Sequence, residues 1–267
     1  MPELAEVEYY RKQWNPGLGK KITAVRVHPK ARIFRECDLS QLQEHLENGK
    51  LISSEAAAKQ MLFRTTRQGW LGIHLGMSGE LRVEPSDYKE RPSDHLILVQ
   101  SHQQLVFSDF RMFGRVQFSV GKEVPAWWQK IPPALLSAEF TVEAIRTFLE
   151  RRSRTAIKAV LLMQERFPGI GNWMADEILW RAGIHPQQRA GTLTGQEIKT
   201  LHQEIRWVSE HALATIGETM EDPPETWLFP HRWREGGHCP RTGAKLSRAV
   251  VGGRMTCWSP ARQKLHP

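Results

Sequence analysis

The stretch "PGIGNWMADEILWRAGIHP", residues 168–186, decides the fold of the second half of the chain. Its glycines form a turn, and the apolar positions that follow recur at helical spacing. Gly183 predicts the end of that helix, and Pro186 lies just beyond it, as expected at a helix C-terminus. The backbone N–H groups around Gly171 and Asn172 point outward at the positive end of this helix, which predicts an anion site.

Helical patterns continue on both sides of this stretch. The segment "TVEAIRTFLERR", residues 141–152, begins with Thr141 as an N-cap. The segment "TGQEIKTLHQEIRWVSEHAL", residues 194–213, begins with Thr194 and Glu197 at the spacing of a capping box. The second half of the chain is therefore predicted to be helical.

The first half has a different pattern. After a short N-terminal helix, residues 22–120 form short β-branched or aromatic runs separated by Gly, Pro, Ser or Asp, which is typical of a β-sandwich or barrel. The Pro- and Trp-rich residues 122–136 predict a linker. Two β-type runs around Gly252 and Gly253 predict a C-terminal hairpin. The fold class is therefore α+β with several domains.

Composition limits the classes of function. The 267 residues are 40% hydrophobic and 25% charged, which is enough for a globular core. No apolar run reaches about 18 residues, and acids stand where a signal peptide carries lysines, so we expect a cytoplasmic chain with no membrane contact. Three cysteines are too few and too scattered for a disulfide framework. The net charge of +8 indicates a polyanionic partner without identifying it.

The first ten residues, "MPELAEVEYY", allow two interpretations. Pro2 can simply begin a helix, since proline is favoured in a first turn. Alternatively, removal of Met1 leaves Pro2 with a free secondary amine at the positive end of that helix. This stretch alone does not decide between them.

Four separated stretches together resemble the formamidopyrimidine-DNA glycosylase/endonuclease VIII family of base-excision repair enzymes. They are "PELAEVE" at 2–8, "HLGMSGEL" at 74–81, "PGIGNWMADEIL" at 168–179 and "GGRMTCWSPARQ" at 252–263. The resemblance keeps the family's order and covers nearly the whole chain.

The resemblance implies three domains. Residues 1–130 would form an N-terminal catalytic β-sandwich domain, residues 131–225 a helix–two-turn–helix DNA-binding domain, and residues 226–267 a β-hairpin finger. This order agrees with the change from strands to helices to a hairpin that the sequence pattern predicts.

The resemblance also implies the catalytic residues. Pro2 would attack C1′ of a damaged nucleotide and form a Schiff base, and a helix N-terminus lowers the pKa of its amine. Glu3 would move protons at the sugar and the leaving base. Glu6 would support the site electrostatically, and Lys59, on a strand, would contact the phosphates beside the lesion.

A second set of residues would bind and open the DNA. Met77 would fill the space that the extruded base leaves, Arg111 would face the orphaned base, and Phe113 would act as a wedge. The family usually has a proline and a second arginine where this chain has Phe110 and Met112, which puts one backbone contact in doubt. Five further phosphate contacts are implied, at His74, Lys158, Gly171, Asn172 and Arg254.

The finger departs from the family. Its usual two C-x-x-C pairs correspond here to Cys239, Thr242, Ser259 and Arg262, and one thiol cannot hold a structural zinc ion. We expect a zincless finger with no metal and no cofactor, with three apolar residues buried to hold it: Val250, Val251 and Trp258. A site formed by His231, His238 and Cys257 is an alternative whose spacing matches no known pattern.

The leading hypothesis is a bifunctional DNA glycosylase and abasic-site lyase that removes oxidised bases. A catalytically silent damaged-DNA-binding protein of the same fold is the alternative, and an N-terminal-proline tautomerase would be a much shorter chain. The expected partner is duplex DNA containing damaged bases or abasic sites, bound by a monomer at the nucleoid. The short, Pro-stiffened residues 217–227 predict that 8-oxoguanine is not the dominant substrate.

Overall fold

The computed structural model describes residues 2–28, 30–233 and 235–266. The chain forms two compact units, one built from Pro2 and residues 6–131 and the other from residues 3–5 and from residue 132 onward. The predicted removal of Met1 lies outside the described residues. No helix in the described ranges is both long enough and apolar enough to cross a membrane.

The first unit is an antiparallel β-sandwich with short helices at its margins. Its elements are α1 (Leu4–Gln13, shared with the second unit), β1 (Ile22–Val27), α2 (Leu39–Leu46), β2 (Leu51–Ala57), β3 (Gln60–Thr65), β4 (Gly69–His74), β5 (Glu80–Pro85), β6 (Asp94–Gln100), β7 (Gln103–Ser108), β8 (Arg115–Val120) and α3 (Ala126–Gln129). The strands form two four-stranded sheets, in the orders β1-β6-β7-β5 and β2-β3-β4-β8.

The core of the sandwich comes from the alternation of side chains along these strands. Phe63, Leu71 and Phe107 are fully buried, and the Trp14 ring packs on Phe63 with centroids 5.1 Å apart. Part of the predicted linker belongs to this unit, because Gly72 leaves room for the Trp127 ring against its backbone. The predicted β-sandwich is confirmed.

The sequence pattern missed three elements of this unit. They are helix α2 and strands β2 and β3. Strand β2 was missed because "SSEAAAK" is rich in residues that strands disfavour. The structure pairs β2 with β3 around a tight turn in which Ala58 has φ 57°. Lys59 is therefore in a turn and not on a strand, contrary to the expectation.

The second unit is helical and ends in a hairpin. Its elements are α4 (Val142–Arg151), α5 (Ile157–Leu161), α6 (Asn172–Ala182), α7 (Gly195–Ala214), α8 (Ile216–Thr219), β9 (Ser247–Val251) and β10 (Arg254–Trp258). Thr141 caps α4, Thr194 and Glu197 form the capping box of α7, and Gly183 ends α6 with φ 73°. These three predictions are confirmed.

The hairpin β9–β10 turns through Gly252 and Gly253, which both have positive φ. Its packing corrects one prediction. Val251 is buried and Trp258 is half-buried, but Val250 is 63% exposed because it lies on the outer face of the hairpin. A small cluster that includes Trp180, Cys239 and Cys257 holds the hairpin against α6.

Candidate active site and nucleic-acid interface

Glu3 lies at the N-terminus of α6, although the two are far apart in sequence. Its Oε2 accepts hydrogen bonds from the backbone N–H groups of Gly171, at 2.8 Å, and Met174, at 3.1 Å. Its Oε1 accepts one from Trp173 at 3.0 Å. Glu3 is buried, with only 3% of its surface exposed. Three amides and the helix dipole therefore favour an ionised Glu3.

Gly171 is required for this arrangement, and its predicted role changes. A Cβ atom at Gly171 would lie 2.2 Å from Cδ of Glu3, so only glycine fits. The sequence predicted that the amide of Gly171 would bind a phosphate. In the structure that amide is occupied by Glu3, so the anion at this helix terminus is a side chain of the chain itself.

Pro2 and Glu6 belong to the first unit together with the sandwich. Both are half-buried at the start of the chain, where Pro2 directly precedes Glu3. Glu6 is one turn before Tyr10 on α1. Burial raises the pKa of Tyr10, and the negative charges of Glu80 and Glu6 raise it further. Glu6 thus adds negative potential along this face of α1.

His74 is surrounded by cations at the end of β4. Its Nδ1 accepts a hydrogen bond from the Gly76 N–H at 3.0 Å, so the proton of the neutral ring is on Nε2. Burial lowers the pKa of His74 to about 4, and the positive charges of Arg115, Lys59 and Arg35 add to this effect. His74 therefore offers a neutral Nε2–H donor at physiological pH, within a positive field that suits a phosphate.

Two loops that carry predicted DNA contacts are held together by Asp109. The loop of residues 75–79 contains Met77, and the tip loop of residues 109–114 contains Arg111 and Phe113. Asp109 is fully buried and accepts hydrogen bonds from the Ser78 hydroxyl at 2.6 Å and the Gly114 N–H at 2.7 Å. The structure therefore brings Met77, Arg111 and Phe113 to adjoining loops of one unit.

The two loops also touch through their backbones. A Cβ atom at Gly76, where φ is 63°, would lie 2.4 Å from the carbonyl carbon of Phe113. Met77 is only half-buried and is not part of the core, so it is not an ordinary core methionine. The Arg111 guanidinium lies 4.8 Å from the centroid of the Phe113 ring, a cation–π contact at an exposed site.

Lys158 is an internal residue in the second unit. It has no exposed surface, and its Nζ donates to Asp176 Oδ1 and, at 2.6 Å, to the backbone carbonyl of Asn172. Burial lowers the pKa of Lys158, against the opposing effect of Asp176. A direct phosphate contact by Lys158 does not fit this arrangement, because the ammonium group faces the protein interior.

Asp176 connects several segments of the second unit. Besides Lys158 of α5, its carboxylate accepts hydrogen bonds from Arg232 Nε at 3.1 Å and from the Cys257 N–H of β10 at 3.1 Å. A buried carboxylate that pairs with two buried cations leaves them without a charge partner when it is removed. The cluster thereby fixes the hairpin to α5 and α6.

Asn172, the first residue of α6, and Arg254, the first residue of β10, lie next to the Asp176 cluster in sequence. The Asn172 side-chain amide donates to the Met255 carbonyl of β10 at 2.9 Å. Arg254 is exposed directly after the Gly252–Gly253 turn, and that turn packs closely on Ala159 of α5. An exposed guanidinium on an anchored turn is well placed to contact a phosphate.

Cys239 is at one of the four positions that correspond to the family's zinc ligands, and its sulfur is a hydrogen-bond acceptor. The Trp180 indole N–H donates to Cys239 Sγ at 3.3 Å. Burial raises the pKa of Cys239, but hydrogen bonds from Thr242, Ser259 and Trp180 outweigh it and lower the pKa to about 7. Arg262 lies over the Trp180 ring, 5.5 Å from its centroid. A hydrogen-bonded thiol thus occupies the centre of the finger.

The alternative metal site is not assembled. Within the described ranges, no group of three or more His, Cys, Asp or Glu side chains is arranged to hold a metal ion. His231 instead bonds to the carbonyl of Glu225 at 2.8 Å, and Cys257 is buried with its pKa raised to about 11, chiefly by burial. Among the described residues, the alternative site of His231, His238 and Cys257 is therefore not formed.

Sequence reasoning missed three residues that organise these sites: Asp109, Asp176 and Arg232. Asp109 is the first residue of the tip loop, and Asp176 lies inside α6, so the motifs contain both. Asp109 and Asp176 are each a charged residue within a largely apolar stretch. This pattern predicts that each carboxylate has a buried partner, but it does not identify the partner. Arg232 carries no comparable signal in the sequence.

Comparison with known proteins agrees with this architecture. The family model of the formamidopyrimidine-DNA glycosylase N-terminal domain matches residues 1–116, and that of the formamidopyrimidine-DNA glycosylase H2TH domain matches residues 131–223. The fold and its two matched domains define a DNA glycosylase of the helix–two-turn–helix class.

Individual relatives support the same assignment over the full chain. A formamidopyrimidine-DNA glycosylase of Roseiflexus sp. is 38% identical, with 99% of this chain and 100% of that protein covered. One of Laribacter hongkongensis is 34% identical with the same coverage. A solved structure of Lactococcus lactis formamidopyrimidine-DNA glycosylase bound non-covalently to DNA containing an AP site has a TM-score of 0.87 and 27% identity, covering 98% of this chain and 99% of that one. The chain belongs to the formamidopyrimidine-DNA glycosylase family.

Proposed function

We propose that this chain is a bifunctional DNA glycosylase and abasic-site lyase that removes oxidised bases from duplex DNA. The observation that carries the proposal is the placement of Glu3. A buried carboxylate, fixed by three amides of α6, directly follows Pro2. A catalytically silent DNA-binding protein would have no need to bury and orient an acid at this position.

Pro2 is proposed as the nucleophile. Once Met1 is removed, the nitrogen lone pair attacks C1′, the bond from C1′ to the base breaks, and the base leaves with the electron pair and takes up a proton. The amine loses its own proton, the sugar ring opens with a proton added to O4′, and an iminium links Pro2 to C1′. An α-amine titrates near pH 8, and the helix N-terminus lowers that value, so a reactive fraction is neutral at pH 7.

Glu3 is proposed to carry protons in these steps. An ionised carboxylate stabilises positive charge that develops on the sugar, and it accepts and returns protons at O4′ and C2′. Glu3 takes the C2′ proton, the C2′–H electron pair moves into the iminium to form an enamine, and the enamine expels the 3′ phosphate. A second elimination expels the 5′ phosphate, and water then releases Pro2 from the sugar fragment. Glu6 would contribute negative potential nearby without touching the reacting atoms.

The remaining residues are proposed to position the DNA. Lys59 and the His74 Nε2–H donor would contact phosphates, as would Arg254 on the hairpin and the side chain of Asn172. Met77, Arg111 and Phe113 would fill and wedge the opened base stack. Lys158 would act through Asp176 as a positioning residue instead of contacting DNA.

The decisive experiment uses a duplex with a single abasic site. Purified protein is incubated with it, borohydride is added, and covalent adduct and strand scission are measured. We expect both from the wild type and much less of each from Pro2→Gly, whose primary amine replaces the secondary amine of proline, with mass spectrometry showing that active protein has lost Met1. Tight binding without adduct or scission would favour the silent DNA-binding protein. Normal nicking by protein that retains Met1 would exclude the Schiff base.

We expect the enzyme to act in the cytoplasm on nucleoid DNA.

A further inference from the structure

The tip loop of residues 109–114 exposes an unusual amount of apolar surface. Phe110 is 73% exposed, Phe113 47% and Met112 38%. Phe110 is the most exposed large apolar side chain in the described ranges. Single exposed apolar residues are common on protein surfaces, but three within four positions of one short loop indicate an interaction site.

The loop is held rigidly in this exposed form. The buried Asp109 accepts hydrogen bonds from Ser78 and Gly114 through its side chain, and from the Met112 N–H at 3.1 Å through its backbone carbonyl. Met112 has φ 53°, a left-handed conformation that costs a non-glycine residue about 1 kcal/mol or more. Such a conformation persists only where the surroundings impose it. The hydrogen bonds of Asp109 therefore hold the loop in the conformation that exposes these side chains.

Cations flank the apolar tip. Arg111 lies within it, and the Arg35 guanidinium donates to the Gly114 carbonyl at its base at 3.3 Å. Arg115 follows directly, and its charge, with those of Lys59 and Arg35, acts on His74. Apolar side chains bordered by positive charge complement an opened base stack bordered by phosphates.

Phe113 and Phe110 differ in what already covers them. One face of the Phe113 ring has the Arg111 guanidinium over it, 4.8 Å from the ring centroid. Within the described ranges, the Phe110 ring has no aromatic or cationic partner. Its faces are therefore available for stacking, which every nucleobase can accept.

We propose that Phe110 is a second base-stacking residue, which packs its ring on a nucleobase exposed when the duplex opens at the damaged site. This inference rests on the proposed function and deepens it. The occupant is a base of damaged duplex DNA, and the wedge therefore consists of two aromatic rings on one rigid loop.

The test compares Phe110→Ser and Phe110→Leu with wild type in binding a duplex that carries a tetrahydrofuran abasic-site analogue, over a range of salt concentrations. Stacking of one base on an aromatic ring is worth about 1–3 kcal/mol, or about 5- to 150-fold in affinity at 1.36 kcal/mol per factor of ten. We expect both variants to lose affinity by that factor, with the salt dependence unchanged. Phe110→Tyr should restore binding, because it keeps the ring.

The matched control is Ile52→Ser, which removes a side chain that is 48% exposed on β2 and outside the tip loop. It should bind as wild type does. Undamaged duplex should also bind equally well to all variants, because its bases remain stacked. Thermal unfolding should give the same midpoint for the Phe110 variants and wild type, since the side chain is largely in solvent.

Three results would overturn the inference: unchanged affinity in Phe110→Ser, an equal loss for damaged and undamaged duplex, or full binding by Phe110→Leu. Borohydride trapping of the wild type on an abasic duplex separates this inference from the proposed function. If the wild type forms no adduct, the proposed function fails. If it forms the adduct and Phe110→Ser binds normally, only the role of Phe110 fails.

Discussion

Glu3 shows how one residue links fold and chemistry. Its carboxylate replaces water and phosphate as the partner of the first amides of α6, so the helix terminus and the proposed acid depend on each other. A substitution that preserves size but removes charge should therefore affect both stability and reaction.

We expect Glu3→Gln to abolish base excision in single-turnover assays while leaving affinity for damaged duplex largely intact, because affinity comes from phosphate contacts elsewhere. The amide NH₂ group would face a backbone donor, which leaves a buried polar group unsatisfied and lowers the free energy of unfolding by about 1–3 kcal/mol. Denaturant titration measures that loss. Glu210→Gln, at an exposed position of α7, is the control and should change neither quantity appreciably.

Gly171→Ala tests the position of the Glu3 carboxylate without changing Glu3 itself. The new methyl group would overlap Glu3 Cδ and displace the carboxylate. Excision should fall as it does in Glu3→Gln, although no catalytic group has been removed. Excision at the wild-type rate by both variants would show that the position of Glu3 does not matter to the reaction.

His74 gives the structure a dependence on acid. Its pKa is about 4 in the folded protein and about 6.5 when unfolded, so the unfolded state binds more protons between these values. The stability that the neutral ring contributes is complete above pH 6.5 and is lost as pH falls towards 4. His74→Gln, which cannot titrate, should show a shallower loss of unfolding free energy between pH 6.5 and 4. Identical pH profiles for the two proteins would contradict the assigned neutral state.

At the scale of the elements, the sequence predicted best where local rules decide. The capping box at Thr194, the stop at Gly183 and the Gly252–Gly253 turn each follow from a few adjacent residues. Strand β2 did not, because its Ala- and Ser-rich residues form a strand only through pairing with β3 in the sheet. The buried Lys158 and the Glu3 contact with α6 were also beyond prediction, since both depend on residues distant in sequence.

The cluster around Asp176 separates structural cations from DNA-binding ones. Lys158→Met should lower the free energy of unfolding, because it removes a buried partner of Asp176, while the salt dependence of DNA affinity stays unchanged. Asp176→Asn should destabilise the protein more than Lys158→Met does. We expect it to lower the free energy of unfolding by about 3–5 kcal/mol, because it leaves Lys158 and Arg232 buried without their charge partner. If the DNA affinity of Lys158→Met depended less steeply on salt than that of the wild type, Lys158 would contact a phosphate directly, as the resemblance implied.

The finger provides the contrasting case. We expect it to contain no stoichiometric zinc and to keep its activity in chelator, because only one of the four positions of the family's ligands is a cysteine and its sulfur accepts a hydrogen bond from Trp180. Elemental analysis and activity after chelation measure this.

Arg254→Ala should weaken binding to damaged duplex and flatten the salt dependence by about one phosphate contact. Chelator-sensitive activity with bound zinc would refute the metal-free finger, and an unaffected Arg254→Ala would refute the role of that arginine.

At the scale of the whole molecule, the net charge of +8 is distributed between two kinds of cation. Exposed residues such as Arg111 and Arg254 are available to a polyanion, whereas Lys158 and Arg232 neutralise a buried carboxylate. Charge alone therefore predicts a polyanionic partner but overestimates the number of phosphate contacts. The order of the four motifs indicated the family, and the internal ion pairs needed the structure.

We expect the range of damaged bases to depend on residues 217–227 of the second unit. Helix α8 ends at Thr219, and the chain is fixed again at Trp227, which is only 4% exposed and packs on Trp207 with ring centroids 5.2 Å apart. Pro223 and Pro224 stiffen the residues between these anchors. A segment held at both ends and stiffened in the middle has little length with which to enclose an extruded base.

We therefore expect ring-opened and further-oxidised guanine to be excised at least as fast as 8-oxoguanine, because recognition of an intact oxidised purine needs more groups around the base than this segment offers. Single-turnover rates on a panel of otherwise identical duplexes measure the preference, with an abasic-site duplex as the control for lyase chemistry that needs no base recognition. Replacing Pro223 and Pro224 with Gly should change the ratio between lesions and leave the abasic-site rate unchanged. A strong preference of the wild type for 8-oxoguanine opposite cytosine would show that the stiff segment does not limit recognition.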